Sequence, residues 1–188
     1  VRSRGLGDVY KRQAYGRSTQ RDLGGCRHGY LPGRGTTSVE EFRKQLVNHN
    51  IVGLDTSIFI YHFEAHPRYL PLTQKLLTGV QAGQWTAITS IITVMELTVH
   101  PWQMGRSSVA REYEALLIHF PNLTLVDVNR DVARRAAQLR AHYNVRPADA
   151  LQVATALLEG ATTFVTNDRK LTRLSQEIEI IVLDDFAP

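Results

Sequence analysis

Ile51-Val52-Gly53-Leu54-Asp55-Thr56-Ser57 is the stretch on which the reading of the fold turns. Its first four residues form an apolar run of strand length, bounded like a buried strand. The run ends at an acid and two hydroxyl residues, which turn the chain and cap the next helix. In open α/β sheets, ligands bind beyond the carboxyl ends of the strands, which is where Asp55 falls.

Working outward, Ser38-Val39-Glu40-Glu41 has the form of a capping box, with Ser38 as N-cap of a helix reaching about residue 48. Helices are expected over residues 57–64 and 69–80, broken near Pro67 and Pro71. A second strand is expected over 86–89. A helix over 91–99 comes next, capped by Ser90, stopped near Pro101 and apolar nearly all round, hence buried. Residues 107–120 place Val109, Tyr113, Leu116, Leu117 and Phe120 on one face, a stripe that suits core or an interface. A third strand is expected over 122–128 and a helix over 131–143. Another helix, 148–158, has Pro147 at its start and Gly160 at its stop. A fourth strand (162–166), a short helix (170–174) and a fifth strand (179–183) complete the chain. Strands alternating with helices in this way predict an α/β fold with a mainly parallel sheet and right-handed crossovers.

The chain has 188 residues, 43% of them hydrophobic, enough for one domain whose core needs neither disulfide nor structural metal. A single cysteine, Cys26, excludes an internal disulfide and fits a reducing compartment. No long apolar window marks a membrane span, and the first residues lack a secretory-type apolar stretch, so a cytoplasmic protein is expected. The formal charge of +4 is misleading as a sign of nucleic-acid binding. Residues 1–36 hold eight basic residues against Asp8 and Asp22, a formal +6 that leaves the remainder at −2. Asp8-Val9-Tyr10-Lys11-Arg12-Gln13 resembles the in-frame translation of a sequencing-library adapter. Residues 1–13 are therefore expected to be an artefact, residues 1–36 disordered or non-native, and residues 37–188 the domain.

Four acids occupy costly positions. Asp55 and Asp168 each close a strand; Glu96 and Asp149 lie on apolar helices. Each has a plain structural explanation. Asp55 and Asp168 can cap helices, Asp149 can face a helix dipole, and Glu96 can pair with an arginine such as Arg146. If all four converge, their mutual repulsion calls for a divalent cation, and oxygen-only ligands suit Mg²⁺ or Mn²⁺. Such an ion can activate water and polarise a phosphoryl oxygen, as phosphodiester hydrolysis requires. An aspartyl-phosphate phosphatase also places an acid after its first strand, but it needs a second Asp where this chain has Ser57.

The pieces around these acids resemble the PIN domain family, and within it the VapC-type toxins. They are Val52-Gly53-Leu54-Asp55-Thr56-Ser57; Thr89-Ser90-Ile91-Ile92-Thr93-Val94-Met95-Glu96-Leu97; Ala148-Asp149-Ala150-Leu151-Gln152-Val153-Ala154-Thr155-Ala156; and Phe164-Val165-Thr166-Asn167-Asp168. The resemblance implies a three-layer sandwich around a five-stranded parallel sheet ordered 3-2-1-4-5. It implies a metal-binding quartet at Asp55, Glu96, Asp149 and Asp168, with Thr166 as the accompanying hydroxyl. It further implies a Mg²⁺- or Mn²⁺-dependent ribonuclease with RNA as substrate, a small cognate antitoxin and a homodimer. Arg169 and Lys170, next to Asp168, and Arg146 are the candidates for RNA contact. The competing expectation is a PIN-like module that binds RNA or a partner without cleaving.

Overall fold

The computed structural model describes residues 35–187. The adapter-like segment and Cys26 lie outside the described residues. Helix α1 (Gly35–Leu46) leads into β1 (Ile51–Leu54). There follow α2 (Thr56–Phe63), α3 (Leu70–Gln81), β2 (Thr86–Ser90), α4 (Ile92–Gln103), α5 (Ser107–Ile118) and β3 (Leu123–Val126). The last part of the chain contributes α6 (Arg130–Tyr143), α7 (Pro147–Leu158), β4 (Thr163–Thr166), a 3₁₀ helix (Arg169–Leu174), β5 (Glu179–Val182) and a 3₁₀ turn (Leu183–Asp185).

The strands form one parallel sheet in the order β3-β2-β1-β4-β5, as the sequence predicts. β1 is central, with Gly53 opposite Ile88 on one side and Phe164 on the other. Alternation along the strands divides the core in two. Val52, Leu54, Ala87, Val165 and Ile181 face a cluster with Phe42, Phe59, Leu72, Leu76 and Leu117 from α1, α2, α3 and α5. Phe164 faces the other side, packed with Val132, Leu139, Val153 and Ala156 from α6 and α7 and with Leu171 and Leu174 of the 3₁₀ helix. The result is the expected three-layer α/β/α sandwich.

The termini of α6 and α7 come from local chemistry. The Asn129 side chain accepts from the amides of Asp131 and Val132, both at 2.9 Å, and so starts α6. Asn144 ends that helix in the left-handed region at φ 51°. Pro147 opens α7, and the residue before a proline is driven to extended backbone. Arg146 obeys, at φ −65° and ψ 153°.

Three expectations are corrected. Ser38 lies within α1, which begins at Gly35, and so is not its N-cap. α4 passes through Pro101 and ends at Gln103. A proline in the last turn forfeits only its own amide bond, and the chain closes beyond it with Met104 N–H to His100 C=O. α4 is also not buried all round. Thr93, Leu97, Thr98 and Pro101 face inward, while Met95, Val99 and Trp102 are about half exposed or more. It packs mainly against α5, and more lightly against α2, α7 and β2, so its outer apolar face is left at the surface.

Candidate active site

Two parallel strands of the centre, β1 and β4, end side by side, and this adjacency brings Asp55 and Asp168 to one cleft. Asp55 stands at the N-cap position of α2 yet makes no side-chain capping bond. Its Oδ2 instead accepts from the Thr166 hydroxyl at 2.6 Å and the Ser57 hydroxyl at 2.8 Å. The structural explanation for Asp55, helix capping, therefore does not account for it. Protein encloses Asp55 on most sides, and this burial pushes its carboxyl above the ordinary value of 3.8. The hydroxyls of Thr166 and Ser57 pull it back, while the charges of Glu96 and Asp149 push it up again. These two acids are thus close enough to act on Asp55 through their fields.

Thr166 is fully buried and joins the two strand ends. Its oxygen accepts the Asp168 amide at 3.0 Å while its hydrogen goes to Asp55. Thr166→Val keeps the shape and removes both bonds. We expect it to cost about 2 kcal/mol in urea unfolding, the typical penalty for stranding buried partners. Thr166→Ser should recover most of that loss.

Glu96 reaches the cleft from α4. Its Oε2 accepts from Thr56 Oγ1 at 2.5 Å and from Gln152 Nε2 at 2.8 Å. Gln152 Nε2 also donates to Thr56 Oγ1 at 3.0 Å. Behind them, Thr89 donates to the Leu54 carbonyl at 3.0 Å, and Thr93 stands between Thr89 and Thr56 at 2.8 and 3.2 Å. With the protons of Thr56 and Thr89 committed, the Thr93 proton serves one neighbour or the other. Glu96 is therefore held by neutral donors and not by an arginine. Gln152 Oε1 is buried with no hydrogen-bond partner, because Glu96 and Thr56 both demand the amide nitrogen on their side.

Asp149, at the third position of α7, is bound by Arg146: Nε to Oδ2 at 2.8 Å and Nη2 to Oδ1 at 3.2 Å. The same Nη2 reaches Asp168 Oδ2 at 3.1 Å. Asp168 also caps the following 3₁₀ helix, accepting the Lys170 amide at 2.9 Å. Arg146 thus lies on the acids themselves. Arg169 turns the other way, to Asp185 at 2.6 Å, and Lys170 is exposed beside the cleft.

Thr56, Ser57, Thr93 and Gln152 were not singled out as site residues by the sequence. Thr56 and Ser57 come directly after Asp55, and Gln152 lies one turn beyond Asp149; each had a signal in its spacing from an acid. Beside Glu96 a groove of about 260 Å³ opens between α2, α4 and α5, with Phe63, His100, Arg106 and Tyr113 on its walls. No spacing in the sequence announces that groove.

The donors fit a hard divalent cation in chemistry: all are carboxylate oxygens, Asp55 is penalised for its charge, and two of the acids already share a cation in Arg146. Among the described residues, no three His, Cys, Asp or Glu side chains stand close enough together to hold one ion.

A family model described as PIN domain matches residues 52–177. The search of curated proteins gives no significant match. Among solved structures, a toxin-antitoxin complex from Klebsiella pneumoniae is 20% identical with a TM-score of 0.52, over 71% of this chain and 97% of that one. VapBC2 from Rickettsia felis, bound to a DNA fragment from its promoter, is 20% identical with a TM-score of 0.57, over 70% and 98%. DNA-bound VapBC from Salmonella typhimurium is 23% identical with a TM-score of 0.51, over 71% and 98%. At such identities the structures attest the shared fold, while the family match spans most of the chain and all four acids. The chain belongs to the PIN domain family.

Proposed function

We propose that this protein is a Mg²⁺- or Mn²⁺-dependent endoribonuclease and the toxin of a type II toxin–antitoxin pair. The observation that carries the reading is the state of Asp55. It ends the central strand, caps nothing, and is held by two hydroxyls in a buried position that disfavours its charge, with Glu96 and Asp149 adding to that penalty. A purely structural acid has no need of that arrangement.

Asp55, Glu96 and Asp149 would hold the divalent ion, and Asp168 would complete the set once the carboxylates close on it. When bound, the ion would supply Lewis-acid polarisation of a phosphoryl oxygen. Thr166 and Ser57 fix the rotamer of Asp55, and Thr56 with Gln152 fixes Glu96, so the carboxylates are preorganised. Asp168, at the cleft rim, orients the attacking water. Lys170 meets RNA phosphates at the same rim, and Arg169 extends that edge. The groove beside Glu96, with its aromatic wall of Phe63 and Tyr113 at 5.1 Å, seats a nucleotide next to the scissile bond.

The toxin reading draws on the complexes named above, whose toxins share this fold. It brings with it an antitoxin and a homodimer, and the exposed Met95, Val99 and Trp102 of α4 offer an apolar face for a protein partner. Action in the cytoplasm is part of this reading; among the described residues no helix is long and apolar enough to cross a membrane. Residues 37–188 form the nuclease domain in this reading, with residues 1–36 dispensable.

The test is cleavage of a mixed RNA pool with Mn²⁺ or Mg²⁺, with EDTA, and by Asp149→Asn purified in parallel. Cleavage that needs the metal and is lost in the variant is the expected result. A folded parent that binds Mn²⁺ and RNA yet cleaves nothing would favour the binding-module reading instead.

A further inference from the structure

We propose that Arg146 is the exchangeable cation of the acidic cleft: its guanidinium holds Asp149 and Asp168 when no divalent ion is bound, and the ion must displace it. The proposal rests on the metal-binding role assigned to these acids above.

Pro147 forces Arg146 into extended backbone at the N-cap of α7, where it makes no side-chain cap. The side chain instead folds over the first turn, forks onto Asp149, and reaches Asp168 with the same terminal nitrogen. It thereby ties two acids from different elements. Asp55 and Glu96 are held by neutral donors only, so among the described residues Arg146 is the sole cation paired with the four acids. The pair with Asp149 also stabilises the charged guanidinium.

Exposure shows which partner can leave. The Arg146 side chain is 68% exposed, against 12% for Asp149 and 27% for Asp168. The cation lies outside the carboxylates, and withdrawing it breaks no core packing. An exposed pair of this kind is held only weakly, so an arriving divalent ion can displace it. The carboxylate lone pairs that accept from the guanidinium are also those a divalent ion requires, at about 2.1 Å for Mg²⁺. Guanidinium and ion thus compete for the same oxygens and repel each other. Once displaced, Arg146 stays at the rim, where an RNA phosphate lies within reach of its planar fork.

The experiment is calorimetric titration of Mn²⁺ into the full chain and into Arg146→Gln and Arg146→Lys, with thermal melts in EDTA. Arg146→Gln should bind Mn²⁺ about tenfold more tightly than the parent, or about 1.4 kcal/mol. It should melt lower in EDTA, because the acids lose their counter-cation. Arg146→Lys keeps the charge without the fork and should fall between. It also carries the test alone if Arg146→Gln does not fold without metal. Unchanged or weaker Mn²⁺ binding by a folded variant would overturn the exchange, because Arg146 would then be a bystander or an organiser of the acids. Mn²⁺ binding by the parent in that case would leave the metal-site reading standing. Absence of Mn²⁺ binding in parent and variants alike would remove both.

Discussion

Asp55→Asn should lose RNA cleavage by about a thousandfold or more and yet make the metal-free protein more stable at neutral pH. The loss follows from the proposed role of Asp55, which lies between β1, Thr166 and the other acids and whose charge would be the central share of the ion-binding set. Removing a group that stabilises charge in a transition state commonly costs two to three orders of magnitude, and loss of the ion itself costs more. The gain in stability has the opposite origin. Because the folded state pushes the Asp55 carboxyl up, it holds the proton more tightly than the unfolded chain does. Its contribution is complete in acid, below the ordinary value of 3.8, and is lost as pH rises through the folded value. Asparagine carries no such pH-dependent cost. Melting in EDTA should therefore show the variant above the parent at pH 7, with the advantage shrinking toward pH 4 and below. Excess Mn²⁺ should reverse the order by stabilising the parent alone. A variant that cleaves as fast as the parent would dismiss Asp55 from the mechanism.

Gly53→Ala should be among the most damaging single methyls that the described residues could take, costing about 3 kcal/mol or more. A Cβ built on Gly53 meets Phe164 Cδ2 at 2.6 Å and Ala156 Cβ at 2.7 Å. Neither neighbour can retreat. The Phe164 ring is fully buried on the adjacent strand, and the Ala156 methyl is fixed to the backbone of α7. Overpacking a tight core costs about 1–3 kcal/mol where side chains can adjust, and here they cannot. The shift would propagate to Asp55, two residues along the strand, so cleavage should fall with stability. Gly105→Ala is the matching control. Nothing lies within 4 Å of its added Cβ, and only its φ of +66° opposes the change, a cost of about 1 kcal/mol. Chemical denaturation of the two variants separates crowding from backbone strain.

The sequence alone determined the alternation of strand and helix, because apolar runs, prolines and Asn or Gly stops act locally on their own neighbours. It placed β1 and α7 almost to the residue, since Asp55 and Pro147 are strong punctuation. Through its resemblance to PIN domains it also anticipated the strand order, which local pattern cannot supply. It misjudged α4, because an apolar count cannot tell whether a second layer covers the helix. Trp102 and Met95 look like core residues in sequence and stand at the surface in the fold.

Tertiary structure decided what the acids do. Whether Asp55 caps α2 or faces a cleft depends on Thr166, which is 111 residues away and becomes its neighbour only when β4 pairs with β1. Gln152 meets Glu96 from a different helix, and Arg146 chooses Asp149 and Asp168 over Glu96 because extended backbone before Pro147 aims it there. Charge, hydroxyl and amide are legible as residue types, but their partners are set by distances that exist only after the chain has closed on itself.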